Sequence, residues 1–402
     1  MCPLNVCCSE FGFCGTTPGF CGGKVISSPE CDSGSRTSDA KTIGYYEGWN
    51  TAKRSCNTMK PSDIPLGYYT HIFYSFALID PKTFHVADMD AEVASHYNEV
   101  TSLKAQQSGL EVWIAIASQD AFFQSLISFL ALHDFDGVDL DWEYPVAQDR
   151  GGVPEDFENY VIMISRLRAA LNATGRRYGL SITLPASYWY LRGFDLKNIE
   201  PHLDFFNIMT YDIHGVWDQN VTSIGPYAFA HTNLTEIQTG LELLWRNNVN
   251  PQRVNLGLGF YGRSFEMKDP SCMSAGCEFS NGAKGGQCTG TPGVLSVAEI
   301  NTIIKNGGKV TYDQAAAVKI VTWDTNQWVS WDDVETLKIK QDYANRRCLG
   351  GTMVWAIDLD DGTMINALGS NLARPKAKVT PNVVGWQHDR LHEPGPIPER
   401  EL

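Results

Sequence analysis

Between residues 41 and 357 the chain repeats one rhythm, a short apolar run followed by a turn and, in most cases, a stretch with helical periodicity. Eight runs have the length and residue types of strands, at 41–46, 70–77, 111–117, 135–141, 179–185, 204–210, 253–260 and 351–357. Amphipathic stretches at 121–133, 156–173 and 234–247 lie between them. Parallel strands need a crossover, usually a helix, so this alternation points to a parallel α/β fold. Eight such units over about 330 residues predict a (β/α)8 TIM barrel. The interval between the seventh and eighth runs is longer than one helix needs. It carries Cys272, Cys277 and Cys288 among glycines, then a helical stretch at 294–306. Its residues fit either a small inserted domain or a long loop without structure.

One run ends unlike the others. Residues 135–145 read Phe-Asp-Gly-Val-Asp-Leu-Asp-Trp-Glu-Tyr-Pro. Asp139, Asp141 and Glu143 sit two apart, so a strand turns all three to one face and Val138, Leu140 and Trp142 to the other. Crowded carboxylates raise one another's pKa, which suits proton transfer. Pro145 stops the ladder after Glu143 and sets that acid at the strand's carboxyl end, the catalytic rim of a parallel barrel. A calcium loop also alternates acids, but with Gly and Asn between them, not Val, Leu and Trp.

Asp136-x-x-Asp139-x-Asp141-x-Glu143, followed by Tyr-Pro, resembles the signature of glycoside hydrolase family 18, the chitinases and their relatives. The resemblance implies that Glu143 is the general acid and that the substrate's N-acetyl carbonyl oxygen replaces a carboxylate nucleophile. It gives Asp141 the task of orienting the acetamido group. Asp139 stands behind Asp141, able to share a proton, so that the pair titrates as a unit. Asp136 is read as structural, at the strand's beginning. On strand six, Met209 and Tyr211 point to one face. By resemblance Tyr211 donates its hydroxyl to the acetamido group and Asp212 binds the sugar at the cleavage subsite. A bare Tyr-Asp pair after a strand is more often a turn. Trp355 resembles the tryptophan floor of the pocket, Tyr45 and Phe76 match lining aromatics, and Trp217 offers a further platform. His214 reads as a satisfied loop histidine and not a catalytic base, and it is given no role. No cofactor and no metal are implied. The catalytic barrel is expected over 41–372, with a small α+β insertion at about 264–321 between strands 7 and 8. The Pro-, Lys- and Glu-rich stretch 373–402 reads as a disordered tail. Strand three departs from the family, which has Ser-x-Gly-Gly and a tryptophan there. This chain reads Ala115-Ile116-Ala117-Ser118-Gln119 and enters a helix near Ala121, which removes a wall of the rim.

Residues 1–31 hold too few large apolar side chains for a core, so disulfides must hold them. A generic knottin with internal aromatics is one reading. The spacing Cys2-x4-Cys7-Cys8-x5-Cys14-x6-Cys21, with Cys31 beyond, resembles the hevein-type chitin-binding module. Ser9, Phe11, Phe13 and Phe20 then fall where that family places a serine and three sugar-stacking aromatics. Family pairing joins Cys2 with Cys14 and Cys7 with Cys21. It leaves Cys8 without its usual upstream partner, a place that Cys31 is a candidate to fill. Eleven cysteines leave at least one thiol unpaired, and this short module is expected to fold weakly. Residues 32–40 form a polar linker.

A net charge of −14 leaves nothing basic to displace counterions from phosphates, which excludes nucleic acid as a partner. No apolar run approaches the roughly 18–20 residues of a membrane span. No secretory h-region follows Met1. The cysteines and the sequons at Asn172, Asn220 and Asn233 nevertheless favour an extracellular protein whose signal peptide is missing from this chain. The runs Gly44-Tyr-Tyr-Glu-Gly-Trp-Asn50 and Pro185-Ala-Ser-Tyr-Trp-Tyr190 resemble the killer-toxin-like subgroup of fungal chitinases. The expectation is a secreted, monomeric chitinase acting on chitin and chitooligosaccharides. Two alternatives stay open, a chitin-binding lectin that has kept the barrel without turnover, and an endo-β-N-acetylglucosaminidase acting on N-glycans.

Overall fold

The computed structural model describes residues 2–22, 26–32, 34–117 and 123–381. Eight parallel strands, β1 (Thr42–Glu47), β2 (His71–Ile79), β3 (Glu111–Ala117), β4 (Gly137–Leu140), β5 (Gly179–Pro185), β6 (Phe205–Met209), β7 (Val254–Gly259) and β8 (Gly351–Trp355), pair each with the next, and β8 closes on β1. The chain is thus a closed (β/α)8 barrel. Every residue of β1, β4, β5 and β7 is buried, as expected for strands with a packed interior on one side and helices on the other. Rings from three strands fill the interior. Trp113 stacks on Phe73 at 5.0 Å and on Phe205 at 5.2 Å between centroids. Gly179 makes that stack fit, since a Cβ there would lie 1.8 Å from the Trp113 ring.

The longer outer helices are α1 (Phe123–Leu132), α2 (Asp156–Ala173) and α3 (Leu234–Arg246), then α5 (Val334–Arg346) and α6 (Thr363–Asn371), with α4 (Val297–Lys305) inside the insertion. The insertion between β7 and β8 is an antiparallel sheet with α4 against it, and it is wider than 264–321. Its first strand, Tyr261–Met267, pairs with its last, Gln327–Trp331, so neither can be left outside. The helix expected at 294–306 begins late. Val294–Ser296 is a strand on Tyr261–Arg263, and Ser296 then caps α4 through a capping box with Glu299.

The N-terminal module is stapled by Cys2–Cys14 and Cys7–Cys21, while Cys8 is free and exposed. Cys31 does not replace the missing upstream partner of Cys8; it is bonded to Cys348, just ahead of β8. Nor does the module depend on its own small core. Cys2, Leu4 and Val6 are buried in one apolar cluster with the barrel. The Asn5 amide donates to the carbonyl of Arg246 at 3.2 Å, and the Asn247 amide to that of Leu4 at 3.1 Å. The stretch read as a linker is pinned as well, for Ser38 Oγ donates to Asn345 Oδ1 at 2.9 Å. The tail beyond Ala373 stays ordered for several residues. The amide of Ala373 donates to Asp39, Arg374 Nη2 to Thr42 Oγ1, and the amide of Thr380 to the carbonyl of Gln106. Residues 382–402 lie outside the described residues, as do Ser118, Gln119 and Ala121 of the strand-three rim.

Candidate active site

A cleft of about 1780 Å³ opens at the carboxyl ends of the strands. Glu143, Asp141, Tyr45, Phe76, Met209, Tyr211, Asp212, Trp217 and Trp355 all line it. Asp139 lies beneath, fully buried. β4 ends at Leu140, earlier than expected, so Glu143 stands in the loop beyond the ladder and is open to solvent. Asp136 holds the strand's other end, its carboxylate accepting from the amide of Val112 at 2.9 Å and from Lys104 at 3.1 Å.

Neighbouring strands supply the donors that fix the acids. Asp139 accepts from Ser181 Oγ at 2.5 Å, Tyr45 OH at 2.6 Å and Asn207 Nδ2 at 3.2 Å. Burial pushes its carboxyl up to about 6 against those three donors. Asp141 accepts from Thr183 Oγ1 at 2.6 Å. Burial first, and then the charge of Glu143, push Asp141 well above the usual carboxylate range, and Asp139 adds less. Asp141 therefore exchanges charge chiefly with Glu143, not with the well-satisfied Asp139. Glu143 is itself raised by the burial of its surroundings and by the charge of Asp212, against a hydrogen bond with Tyr144 and the charge of Arg150. Two adjacent carboxyls raised in this way titrate as a pair, not one by one.

Asp212 is the opposite case. Tyr261 OH donates to it at 2.5 Å and Arg263 Nε at 2.7 Å, with Arg263 Nη2 closer still. Burial works against its charge, but His231 and the Arg263 guanidinium hold it far below the usual range. Among the described residues the Tyr211 hydroxyl meets only Met353 Sδ, at 3.7 Å, so its proton is free for a ligand. Trp355 faces Phe76 in a stack at 5.7 Å and Tyr45 at 5.4 Å, an aromatic floor. Trp217 is exposed at the rim with the Arg263 guanidinium 4.8 Å from its ring. His214 is a satisfied loop histidine, as expected. It is buried between Asp218 at 2.7 Å and Glu236 at 2.9 Å, which raise its pKa to about 9 although burial opposes them. In the N-terminal module Phe11 and Phe13 are exposed, Phe20 is half-buried, and Ser9 Oγ accepts from the amide of Phe13 at 3.2 Å. Among the described residues no three ligating side chains gather as a metal site.

The reading of the sequence passed over Thr183, Ser181 and Asn207. A signal for the first two was present, polar residues at alternate positions of an otherwise apolar strand. Arg263 and Tyr261 carried none, because their place depends on how the insertion folds back over strand six.

Residues 41–360 match the glycosyl hydrolases family 18, and residues 1–34 match the chitin recognition protein family. The chain belongs to glycosyl hydrolase family 18. It is 29% identical over 410 residues to the secreted chitinase LysM12 of Penicillium expansum, covering 89% of this chain and 27% of that protein. It is 33% identical over 394 residues to the killer toxin subunits alpha/beta of Kluyveromyces lactis, covering 88% and 33%. The chain thus spans a third or less of the length of these relatives. Its fold superposes on catalytic domain 2 of the Ostrinia furnacalis group II chitinase with a TM-score of 0.74 at 26% identity, over 83% of this chain and 97% of that one. It also superposes on human YKL-39, described as a pseudo-chitinase with retained chitooligosaccharide binding, with a TM-score of 0.75 at 23% identity, over 83% and 100%. No helix of the described residues is long and apolar enough to cross a membrane.

Proposed function

We propose that this chain hydrolyses the β-1,4 bonds between N-acetylglucosamine units of chitin, with retention and with Glu143 as general acid. The observation that carries this reading is the state of the cleft's carboxylates. Asp212 is clamped by Arg263 and Tyr261, Asp218 and Glu236 by His214, and Asp149 accepts from Tyr190 OH at 2.8 Å. Among the described residues only Asp141 and Glu143 combine an open position in the cleft with a raised pKa. Family 18 is an exception among retaining glycosidases in drawing its nucleophile from the substrate, which leaves Asp141 to orient the acetamido group. The acetamido carbonyl oxygen attacks the anomeric carbon as the glycosidic C–O bond breaks. Glu143 gives its proton to the leaving oxygen, and Asp141, held in place by its Thr183 hydrogen bond, steadies the acetamido N–H. Water then opens the oxazolinium ring while Glu143 takes back a proton. Tyr211 donates to the acetamido oxygen, and the ring of Trp355 carries the sugar's apolar face. Five disulfides, together with a relative named as secreted, support an extracellular site of action.

Release of oligomers from chitohexaose, measured beside the Glu143→Gln variant, tests the reading. The wild type should turn over and the variant should not. Equal turnover by both would remove the role given to Glu143. Binding without turnover by both would leave a lectin.

A further inference from the structure

The N-terminal module and the cleft are joined by one helix face. Glu236, Thr239, Gly240 and Leu243 of α3 line the cleft at the i, i+3, i+4, i+7 spacing of a single face. The same face continues to Arg246 and Asn247, which hold the module through Asn5 and the carbonyl of Leu4. From Glu236 to Asn247 this face runs roughly 16 Å along the helix. At its end Gly15 and Thr16 of the module line the same cleft as Glu143 and Trp355. Behind Gly15 lies the Phe20 ring, so close that a Cβ on Gly15 would meet it at 2.5 Å. The module is not free to swing, because Leu4 and Val6 are buried with the barrel and Cys31–Cys348 pins the chain that follows.

We propose that the module's Gly15–Thr16 edge is the far end of the substrate track. A single β-1,4-linked N-acetylhexosamine chain would lie along α3 from the Trp355 floor to the module and be bound by both at once. A module that merely anchors the protein to chitin would hold a different chain from the one in the cleft. The inference rests on the chitin reading above and extends it to chain length.

Dissociation constants of chitooligosaccharides of increasing length, measured calorimetrically on the catalytically silenced Glu143→Gln protein, test it. Affinity should keep rising for oligomers long enough to pass Leu243. Thr16→Arg, which blocks the end of the track, and Phe20→Ala should each cut the gain from short to long oligomers by about 2- to 10-fold, the worth of one aromatic contact. Thr16→Ser should restore it, and unchanged melting of Thr16→Arg would show that the module stays folded. An identical length dependence in all four proteins overturns the track while leaving the chitin reading intact. Absence of binding at every length overturns the chitin reading, and the track with it.

Discussion

Thr183 is the most exacting test of how the acid pair works. Its hydroxyl donates to Asp141 at 2.6 Å from a position only 3% exposed. Asp141 and Glu143 are both raised by burial, and the charge of Glu143 raises Asp141 further. A donor aimed at Asp141 favours the anion there and so keeps the proton on Glu143, where the reaction needs it. A hydrogen bond to a charged acceptor is worth about 1.5–3 kcal/mol. Thr183→Val keeps the shape, removes the donor, and should lower kcat/KM on chitohexaose about 10- to 150-fold. The loss should fall on kcat, because the ground-state contacts of the sugar are untouched. The pH profile supplies a second readout. Without its donor Asp141 ionises at higher pH, so the acidic limb of kcat/KM should move upward, and Thr183→Ser should move it back. A valine variant within about threefold of wild type, with an unmoved acidic limb, would refute the assignment of the proton.

Arg263→Gln should leave Asp212 short of the charge that holds it ionised, and the carboxyl of Asp212, followed by carbon NMR, should titrate about 1–3 pH units higher; an unchanged titration would show that Tyr261 and His231 suffice. His214 has a folded pKa of about 9 against an ordinary 6.5, so its clamp contributes stability that is fully present below about pH 6.5 and lost as pH rises through about 9. Urea unfolding should show a loss of at most about 3 kcal/mol over that window; the loss should vanish in His214→Asn, and its persistence there would exclude the clamp as its source. The Cys31–Cys348 bond spans 317 residues, of which Cys56–Cys288 already bridges 232, leaving a loop of 85. Replacing both cysteines by serine should cost about 4–5 kcal/mol of stability in non-reducing urea titrations, and an unshifted midpoint would contradict the entropic account.

The barrel was legible because its signal is local. Strands such as Gly179–Pro185 are buried on both faces and read as apolar runs between turn residues. The acid strand was legible for the same reason, since Asp139, Asp141 and Glu143 lie within five residues. What the sequence hid is whatever depends on long-range closure. Arg263 meets Asp212 across 51 residues, and Cys31 meets Cys348 across 317. The end of β4 was misjudged by one residue, because alternation continues through Asp141 and Glu143 although the pairing with β3 stops at Leu140. That His214 is a satisfied loop histidine was legible, but its carboxylate partners were not, one of them standing 22 residues away on α3. The docking of the N-terminal module left little trace, since Leu4 and Val6 look like stray apolar residues until α3 is seen beneath them.

That docking also decides where the polypeptide can be cut. Leu4 and Val6 are buried in one cluster with an apolar stripe of α3, and residues 3–5 pack on that helix. A barrel trimmed to begin near Lys41 would present that stripe raw to water and give up the Cys31–Cys348 tether in the same stroke. Such a fragment should clump where the intact chain stays dispersed, so the short leading segment is as much the barrel's own skin as an appendage for gripping polymer.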